Sequence, residues 1–462
     1  MEIAILIVFI LGYIAIATEH SIKIDKAATA LLTGVLCWSI LVVGAHAVPD
    51  HLSVYFQQLG DFLKISEGAD MTLPEFFDHR LLHHLQEIAG ILLFLMGAMT
   101  IVEVVDAHEG FRVITDRITS KNKVKLLWIL GIITFFLSAA LDNLTTAIVM
   151  VSLVRKLIDD QKTRWFFGGI IIIAANAGGA WSPIGDVTTT MLWIGKQITS
   201  VGIMKEVFLA SLVNLLLPLI ILTFVMKGDV ERPVAAEKSG AGISARERGV
   251  AFVLGVGGLL FVPVFKSITH LPPFMGIMLS LGIVWLATEI MHGKKVDEEK
   301  SKYSALHALR KIDMPSVLFF LGILLAVSAL QEVGHLRTLA EGLKDSLGNV
   351  YAINIAIGLL SAVIDNVPLV AASMNMYEIT PALTGDVWSD MFVQDGPFWH
   401  FLAYTAGTGG SILIIGSAAG VAVMGLEKIS FMWYLKNVSL WALIGYFGGA
   451  AVYIIEMMIL HP

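Results

Sequence analysis

Long apolar runs dominate this sequence and fix the environment in which it can fold. A helix needs about 20 apolar residues to cross the hydrocarbon core of a bilayer. Only 15% of the 462 residues are charged, whereas soluble proteins carry roughly 25%. The sequence therefore predicts an all-α polytopic membrane protein, and it excludes a soluble enzyme, a nucleic-acid-binding protein and a disordered chain. The runs cover residues 3–18, 27–48, 86–107, 125–157, 165–195, 204–226, 247–264, 273–292, 313–334, 349–377, 398–426 and 437–460.

The single cysteine, Cys37, lies inside an apolar run, which excludes a disulfide framework and any cysteine-based metal site. The first apolar run lacks a basic leader, so we expect a helix that is kept in the mature protein and not a cleaved signal. No cofactor is predicted from the sequence.

Two runs, 125–157 and 349–377, are too long for one crossing, and an Asp-Asn pair interrupts each of them. Lys and Arg residues flank the first run on both sides, and such residues collect in cytoplasmic loops. The segment that follows the second run, 378–397, has four acidic residues and no Lys or Arg, so it is predicted to lie outside. Both runs are therefore predicted to be re-entrant hairpins with polar tips at membrane depth. Two full crossings per run would place every loop on the same side as a hairpin does. The charges therefore leave this alternative open.

With hairpins that do not cross, the basic loops 227–246 and 293–312 fall inside and the acidic segment 49–85 falls outside. Ten crossings then place both termini outside. We expect the inner membrane of a bacterium as the location, with periplasmic termini, because nothing resembles an organelle transit peptide.

The two halves of the chain share motifs in the same order. Leu137–Asn143 corresponds to Leu360–Asn366, and Gly178 and Gly185 correspond to Gly409 and Gly416. Each half is predicted to contain five transmembrane helices plus one re-entrant hairpin, and an odd number of crossings forces the second copy to be inverted. Inverted repeats with broken helices at mid-membrane are typical of secondary transporters.

This repeat divides the chain into three segments. The first inverted repeat is 1–228 with its broken helix in 165–195, and the second is 247–462 with its broken helix in 398–426. A cytoplasmic linker, 229–246, is predicted between them.

The hairpin tips carry the first group of candidate ion-binding residues. Carboxylate, amide and hydroxyl oxygens beside unwound backbone suit a hard cation such as Na⁺, and ionisable groups inside a membrane are costly unless they are functional. A capping Asp that only begins the second helix of each hairpin is the alternative. The candidates are Asp142, Asn143, Thr145 and Thr146 at the first tip and Asp365 and Asn366 at the second.

The broken helices carry the second group. Gly178, Gly179, Pro183 and Gly185 are expected to prevent a regular helix, and a glycine-rich hinge alone would not explain the acidic residue Asp186. The matching break in the second half has hydroxyl groups and no acid. The candidates are Asn176, Ser182, Asp186, Thr188 and Thr189 in the first break and Thr408, Ser411 and Ser417 in the second.

Weaker candidates lie near the ends of the crossings. Glu87, Glu103 and Asp106 are interpreted either as a proton path or as interfacial residues beside lipid headgroups. A cluster that contains His79, His83 and His84 has helical spacing, and an exposed amphipathic helix explains it as well as a metal site does.

At these motifs the sequence resembles the NhaD-type sodium/proton antiporters of the ion transporter superfamily. The resemblance covers nearly the whole chain and depends most on the long motif 174–189; the other matching motifs are 96–103, 142–146, 365–368 and 407–411. It implies electrogenic exchange of cytoplasmic Na⁺ or Li⁺ for external H⁺, chiefly at alkaline pH, by elevator-type alternating access. It also implies a homodimer in the lipid bilayer.

The same superfamily contains sodium-coupled dicarboxylate symporters and arsenite extruders, so these functions stay open as alternatives. Three carboxylates, Asp142, Asp186 and Asp365, would repel an anionic substrate and favour cation exchange. We predict Na⁺ at these three residues with Asn143 and Asn366. A carboxylate that is poorly solvated holds its proton more tightly than one in water, so a single site would couple the two ions by competition.

Overall fold

The computed structural model describes residues 1–46, 72–115, 118, 120–231, 243–293 and 302–460. Within these ranges the regular structure is α-helical. Most of the predicted linker 229–246 and much of the predicted external segment 49–85 lie outside the described residues.

Thirteen described helices precede residue 300. They are α1 (Glu2–Ala17), α2 (Glu19–Ile22), α3 (Lys26–Ala45), α4 (Leu73–Ala107), α5 (Arg112–Thr115), α6 (Lys123–Leu141), α7 (Asn143–Leu157), α8 (Gln161–Ala180), α9 (Val187–Ile194), α10 (Ser200–Glu206), α11 (Phe208–Val225), α12 (Ala245–Thr269) and α13 (Pro273–Met291).

Ten described helices follow. They are α14 (Ala305–Leu309), α15 (Met314–Glu332), α16 (His335–Leu347), α17 (Val350–Leu360), α18 (Asn366–Met376), α19 (Val387–Asp390), α20 (Pro397–Gly409), α21 (Ala418–Glu427), α22 (Phe431–Asn437) and α23 (Ser439–Leu460).

Eight helical stretches among the described residues are long and apolar enough to cross a bilayer: α3, α4, α6, α10 with α11, α12, α13, α15 and α23. Several expose large apolar side chains, such as Phe224 at 78% and Ile290 at 73%. An exposed apolar surface of this kind is suited to lipid and not to water. The structure is that of a polytopic membrane protein, while ten crossings, re-entrant hairpins and an inverted second repeat remain predictions.

Contacts between residues group the chain into two compact units, each of which takes residues from both halves of the sequence. The first unit comprises Met1–Leu92, Asp313–Gly342 and Ala371–Tyr377, and the second comprises Leu93–Ile312, Leu343–Val370 and Glu378–Pro462.

In the first unit, α3 packs closely against α15 where two glycines meet. A Cβ atom on Gly34 would lie 2.5 Å from the Gly322 carbonyl oxygen, and one on Gly322 would lie 2.4 Å from the Ala30 carbonyl carbon. Trp38 adds a hydrogen bond from its ring nitrogen to the Leu325 carbonyl, at 2.9 Å. The lack of side chains at the two glycines is what permits this close approach.

The second unit contains the interrupted helices that the sequence singles out. The first predicted hairpin corresponds to α6 and α7, separated by Asp142 alone, and the first predicted broken helix corresponds to α8 and α9. Helix α8 continues through Gly178 and Gly179 to Ala180, so the break begins at Trp181, later than the glycine spacing predicts. The helix tolerates these glycines because the backbone of Phe135 packs against Gly178 and that of Gly185 against Gly179.

Candidate ion-binding site

Asp142 occupies a strained position at the tip of the first hairpin. Its φ and ψ of 129° and 161° lie in a region that is essentially restricted to glycine and costs about 1–3 kcal/mol for other residues. Its carboxylate accepts hydrogen bonds from the Thr145 backbone N–H and hydroxyl, both at 2.8 Å. Capping does not require this backbone conformation, because Asp160 and Asp186 also cap helices and have negative φ values. Capping therefore does not explain the strained backbone at Asp142.

Asp186 begins α9 and is almost completely buried, with 1% of its surface exposed. Its Oδ1 accepts hydrogen bonds from the Thr188 backbone N–H at 2.8 Å and the Thr188 hydroxyl at 2.7 Å. Its Oδ2 accepts from the amide nitrogens of Asn143 and, at 3.5 Å, Asn366. One buried carboxylate thus receives a side chain from each predicted hairpin tip.

Asn176, near the end of α8, connects this carboxylate to the second broken helix. Its Oδ1 accepts a hydrogen bond from the Asn143 amide at 3.0 Å. Its own amide donates to the hydroxyl groups of Ser411 at 2.9 Å and Ser417 at 3.0 Å. We name this hydrogen-bonded group the polar core; its members are Asn143, Asn176, Asp186, Asn366, Ser411 and Ser417.

The two halves hold their interrupted helices together with the same side-chain contact. The Ser138 hydroxyl donates to the Ala175 carbonyl at 2.6 Å, and the corresponding Ser361 hydroxyl donates to the Ala406 carbonyl at 2.7 Å. Each bond joins the end of a hairpin's first helix to a broken helix. Sequence reasoning aligned both serines in the repeat but did not assign them this contact.

Corresponding glycines make a second repeated contact. A Cβ atom on Gly178 would lie 2.1 Å from the Phe135 carbonyl oxygen, and one on Gly409 would lie 2.0 Å from the Gly358 carbonyl oxygen. These distances are far shorter than any real contact, so only glycine allows each broken helix to approach its hairpin this closely.

The other predicted site residues differ in where their polar groups point. Three of them donate to backbone carbonyls. The Thr189 hydroxyl donates to the Asp186 carbonyl at 2.9 Å, and the Ser182 hydroxyl donates to the Ala139 carbonyl at 2.6 Å. The Thr408 hydroxyl donates to the Tyr404 carbonyl, also at 2.6 Å. The Thr146 hydroxyl is fully buried and has no hydrogen-bond partner among the described residues. A buried hydroxyl in that state is available to bind an ion or a water molecule.

Asp365 repeats the capping role of Asp142 without its strained backbone. Its Oδ1 accepts a hydrogen bond from the Val367 N–H at 3.2 Å, and φ is positive at Asp142 and not at Asp365. The two tips are therefore chemically alike and conformationally different.

Within the described residues, no hydrogen bond joins Glu103 or Asp106 of the predicted proton path to the polar core. Glu103 instead forms an ion pair with Lys311 at 3.2 Å, and Asp106 is exposed. Glu87 belongs to the first unit, where it lies 3.9 Å from His84. A proton path through these residues remains a prediction.

A buried carboxylate, Glu427, pairs with two partly exposed arginines beside the interrupted helices, and sequence reasoning missed this group. Glu427, at the end of α21, accepts from Arg155 at 2.5 Å and from Arg164 at 3.2 Å, and it is 5% exposed. These contacts tie the end of α7 and the start of α8 to α21. In the sequence, Arg155 and Arg164 belong to the basic segment 155–164 at the end of the run 125–157, which indicates sidedness alone. Glu427 is far from both in the sequence, so no local pattern predicts the pairing.

Replacing Glu427 by Gln is expected to lower the free energy of unfolding by roughly 1–3 kcal/mol, because two arginines would lose their buried partner. Thermal unfolding of the purified protein in detergent measures the effect. Glu341→Gln is the matched control, since Glu341 and its partner Arg337 are both largely exposed and such pairs contribute little. Equal melting temperatures for the two variants would contradict the assigned role of Glu427.

Comparison with known proteins connects this geometry to a family. The citrate transporter family model, CitMHS, matches residues 6–393. Sodium/proton antiporter 1 of Arabidopsis thaliana is 45% identical over 458 residues, which cover 98% of this chain and 72% of that protein. Sodium/proton antiporter 2 of the same plant is 41% identical over 460 residues, which cover 97% of this chain and 98% of that protein.

A bacterial relative is also similar along nearly its whole length. The Na⁺/H⁺ antiporter NhaD of Vibrio cholerae is 29% identical over 461 residues, which cover 94% of this chain and 87% of that protein. The resemblance stated from the sequence motifs is confirmed by these matches. The chain is a member of the CitMHS family of transporters, not of an enzyme family, and within it belongs with the NhaD-type sodium/proton antiporters.

Proposed function

We propose that this protein is a secondary transporter that exchanges Na⁺ or Li⁺ for H⁺, with Asp186 as the coupling carboxylate. The observation that carries this proposal is the burial of Asp186 at the point where Asn143 and Asn366 converge. The relatives named sodium/proton antiporters support the choice of ions.

The chemistry of the polar core supports competition between the two ions. A buried carboxylate is stable when it is protonated, when it is paired with a cation, or when it receives strong hydrogen bonds. The amide group of Asn143 supplies such a bond to Asp186 in this structure, and the Asn366 amide nitrogen lies 3.5 Å from the same carboxylate oxygen. When Na⁺ enters, rotation of an amide would present its oxygen in place of its nitrogen, and the carboxylate would exchange amide hydrogens for the cation.

The remaining ligands are proposed from the groups around this carboxylate. The buried Thr146 hydroxyl has no partner among the described residues, and Asp142 adds a carboxylate at the strained tip. Oxygen ligands of this kind suit hard cations. We assign Na⁺ or Li⁺ to Asp142, Asn143, Asp186, Asp365 and Asn366, with hydroxyl groups nearby completing the shell.

The repeated serine and glycine contacts support an internal repeat, and a two-fold inverted arrangement would place its interface at the polar core. Elevator-type movement, electrogenic exchange, activity at alkaline pH and a homodimer belong to the same proposal. The relatives come from a plant and from bacteria, so a bacterial inner membrane with external termini remains a prediction.

A sodium-coupled anion symporter is the second candidate, because the matching family model is described as a citrate transporter. The charge of the site argues against it. Among the described residues, no ion pair or hydrogen bond joins a Lys or Arg to the polar core, while Asp186 lies inside it. An anion would meet a carboxylate with no opposing positive charge. The charge of the site is a weaker argument against arsenite extrusion. Arsenite transport is measured in the same vesicles.

Everted vesicles that contain the protein test the proposed function. A proton gradient quenches a pH-sensitive dye, and addition of Na⁺ or Li⁺ is expected to restore its fluorescence. Addition of K⁺ in a parallel sample measures ion selectivity. Sodium-dependent citrate uptake, or arsenite transport, without Na⁺-induced dequenching would overturn the proposal.

Competition predicts how the apparent affinity for Na⁺ changes with pH. As pH rises, the carboxylate loses its proton more readily and the apparent dissociation constant for Na⁺ should fall, by at most about tenfold per pH unit for one competing proton. Na⁺ titrations of the dequenching signal across neutral and alkaline pH measure this dependence. An apparent affinity that stays constant with pH would contradict competition at one site.

A further inference from the structure

The N-terminal half of α4 carries a group of metal-ligating side chains that the transport proposal does not use. His83, His84 and Glu87 each offer one ligand atom, and these atoms all lie within 4.8 Å of one another. The three residues occupy little more than one helical turn, with His83 and Glu87 four residues apart on one face. His83 and Glu87 are exposed, whereas His84 is buried.

The ring of His84 is held in one orientation by Glu332 of α15. The His84 Nε2 lies 2.7 Å from the Glu332 Oε1, which also accepts hydrogen bonds from Arg80 at 2.7 and 2.9 Å. A carboxylate paired with an arginine accepts hydrogen bonds and does not donate them. In the neutral imidazole the His84 proton is therefore assigned to Nε2, and the lone pair that a metal would use lies on Nδ1.

This second nitrogen faces the rest of the cluster. The His84 Nδ1 lies 3.9 Å from the Glu87 Oε2, and the Trp38 ring packs beside the imidazole with a centroid separation of 6.0 Å. A histidine that donates one nitrogen to a carboxylate while binding a metal through the other is the common arrangement at protein metal sites. Metal binding would require the ligand atoms to move to about 2.0–2.2 Å from one ion, and the exposed side chains of His83 and Glu87 are free of the packing that fixes His84.

We propose that His83, His84 and Glu87 bind one divalent transition-metal ion such as Zn²⁺, with Glu332 orienting His84. Two imidazole nitrogens and one carboxylate oxygen suit Zn²⁺ and the neighbouring metals Ni²⁺ and Cu²⁺, and they suit Mg²⁺ or Ca²⁺ poorly. Three protein ligands leave one position open for water or an exogenous ligand. All the residues of this site lie in the first compact unit.

Calorimetric titration of the full-length protein in detergent with Zn²⁺ tests the site, with any polyhistidine tag removed. The wild type is expected to bind one ion per chain. His83→Ala and Glu87→Gln should each weaken binding at least tenfold, and both positions are exposed, so folding should be preserved. Glu332→Gln removes no ligand and should still weaken binding by roughly 10- to 100-fold, because His84 loses its orienting partner.

Two further variants separate this site from other histidine sites. His270→Asn is the matched control at an exposed histidine with φ of 58°, where Asn is tolerated, and it should bind as the wild type does. His79→Ala tests a site formed by His79 and His83 instead. The proposal is overturned if His79→Ala loses affinity while Glu87→Gln and Glu332→Gln keep it, or if the wild type shows no saturable binding.

Discussion

Replacing Asp186 by Asn is expected to abolish Na⁺-dependent proton movement while leaving the protein folded. Asn can still accept the hydrogen bond from the Thr188 N–H, because Asn caps helices about as well as Asp. It cannot titrate and carries no charge to attract a cation. The measurement is dye dequenching at matched protein levels in the membrane, from neutral to alkaline pH.

Asp160→Asn is the matched control for this variant. Asp160 caps α8, and hydrogen bonds from the Thr163 side chain and backbone hold the pKa of Asp160 below its usual range. Asp160 is therefore ionised at every pH of the assay. It is also exposed, and it lies outside the polar core. Asp160→Asn should transport normally, and near-normal exchange by Asp186→Asn would contradict the assignment of Asp186.

Asp365→Asn separates the roles of the two halves. Asn can reproduce the cap on the Val367 N–H and still offers one amide oxygen to the ion, so this variant should keep part of the exchange activity. Complete loss in both variants would mean that two carboxylates act together, and exchange of more than one proton per Na⁺ would become the favoured mechanism. Activity in Asp186→Asn with none in Asp365→Asn would reverse the assignment.

The interruptions in the helices were largely readable from sequence because they use residues with strong local effects. An Asp-Asn pair inside an apolar run predicts a polar tip, and the structure separates α6 from α7 at Asp142. Pro183 and the flanking glycines likewise predict a break, although α8 continues through Gly178 and Gly179. The helix extends because Gly178 packs against the Phe135 backbone. Helix propensity gives no indication of such a contact.

The contacts within the polar core were not readable in the same way. Sequence grouped Asn143, Asn176 and Asp186 as candidates, but it did not indicate that one amide donates to both other residues. Nor did it distinguish Ser182, whose hydroxyl bonds to a backbone carbonyl, from Ser411, which bonds to Asn176. These distinctions depend on side-chain direction across segments that are far apart in the chain.

Replacing Gly178 by Ala is expected to lower the free energy of unfolding by about 3 kcal/mol or more, since the added methyl group would overlap the Phe135 backbone. Backbone atoms cannot rotate away as a flexible side chain can, so α8 and α6 would have to separate. That separation would also move Asn176, two residues earlier in the same helix, away from Asn143, so Na⁺ exchange should be lost with stability. Thermal unfolding in detergent and the monodisperse fraction after size-exclusion chromatography measure the first effect.

The control for this variant is Gly257→Ala, because a Cβ at Gly257 of α12 meets no atom within 4 Å. It should leave stability unchanged or raise it by up to about 1 kcal/mol through the higher helix propensity of alanine. Gly409→Ala, at the corresponding position of the second half, should resemble Gly178→Ala, since its Cβ would lie 2.0 Å from the Gly358 carbonyl oxygen. A Gly178→Ala protein that melts like the Gly257→Ala control would show that α8 and α6 are not in backbone contact, and the arrangement that brings Asn176 to Asn143 would have to be abandoned.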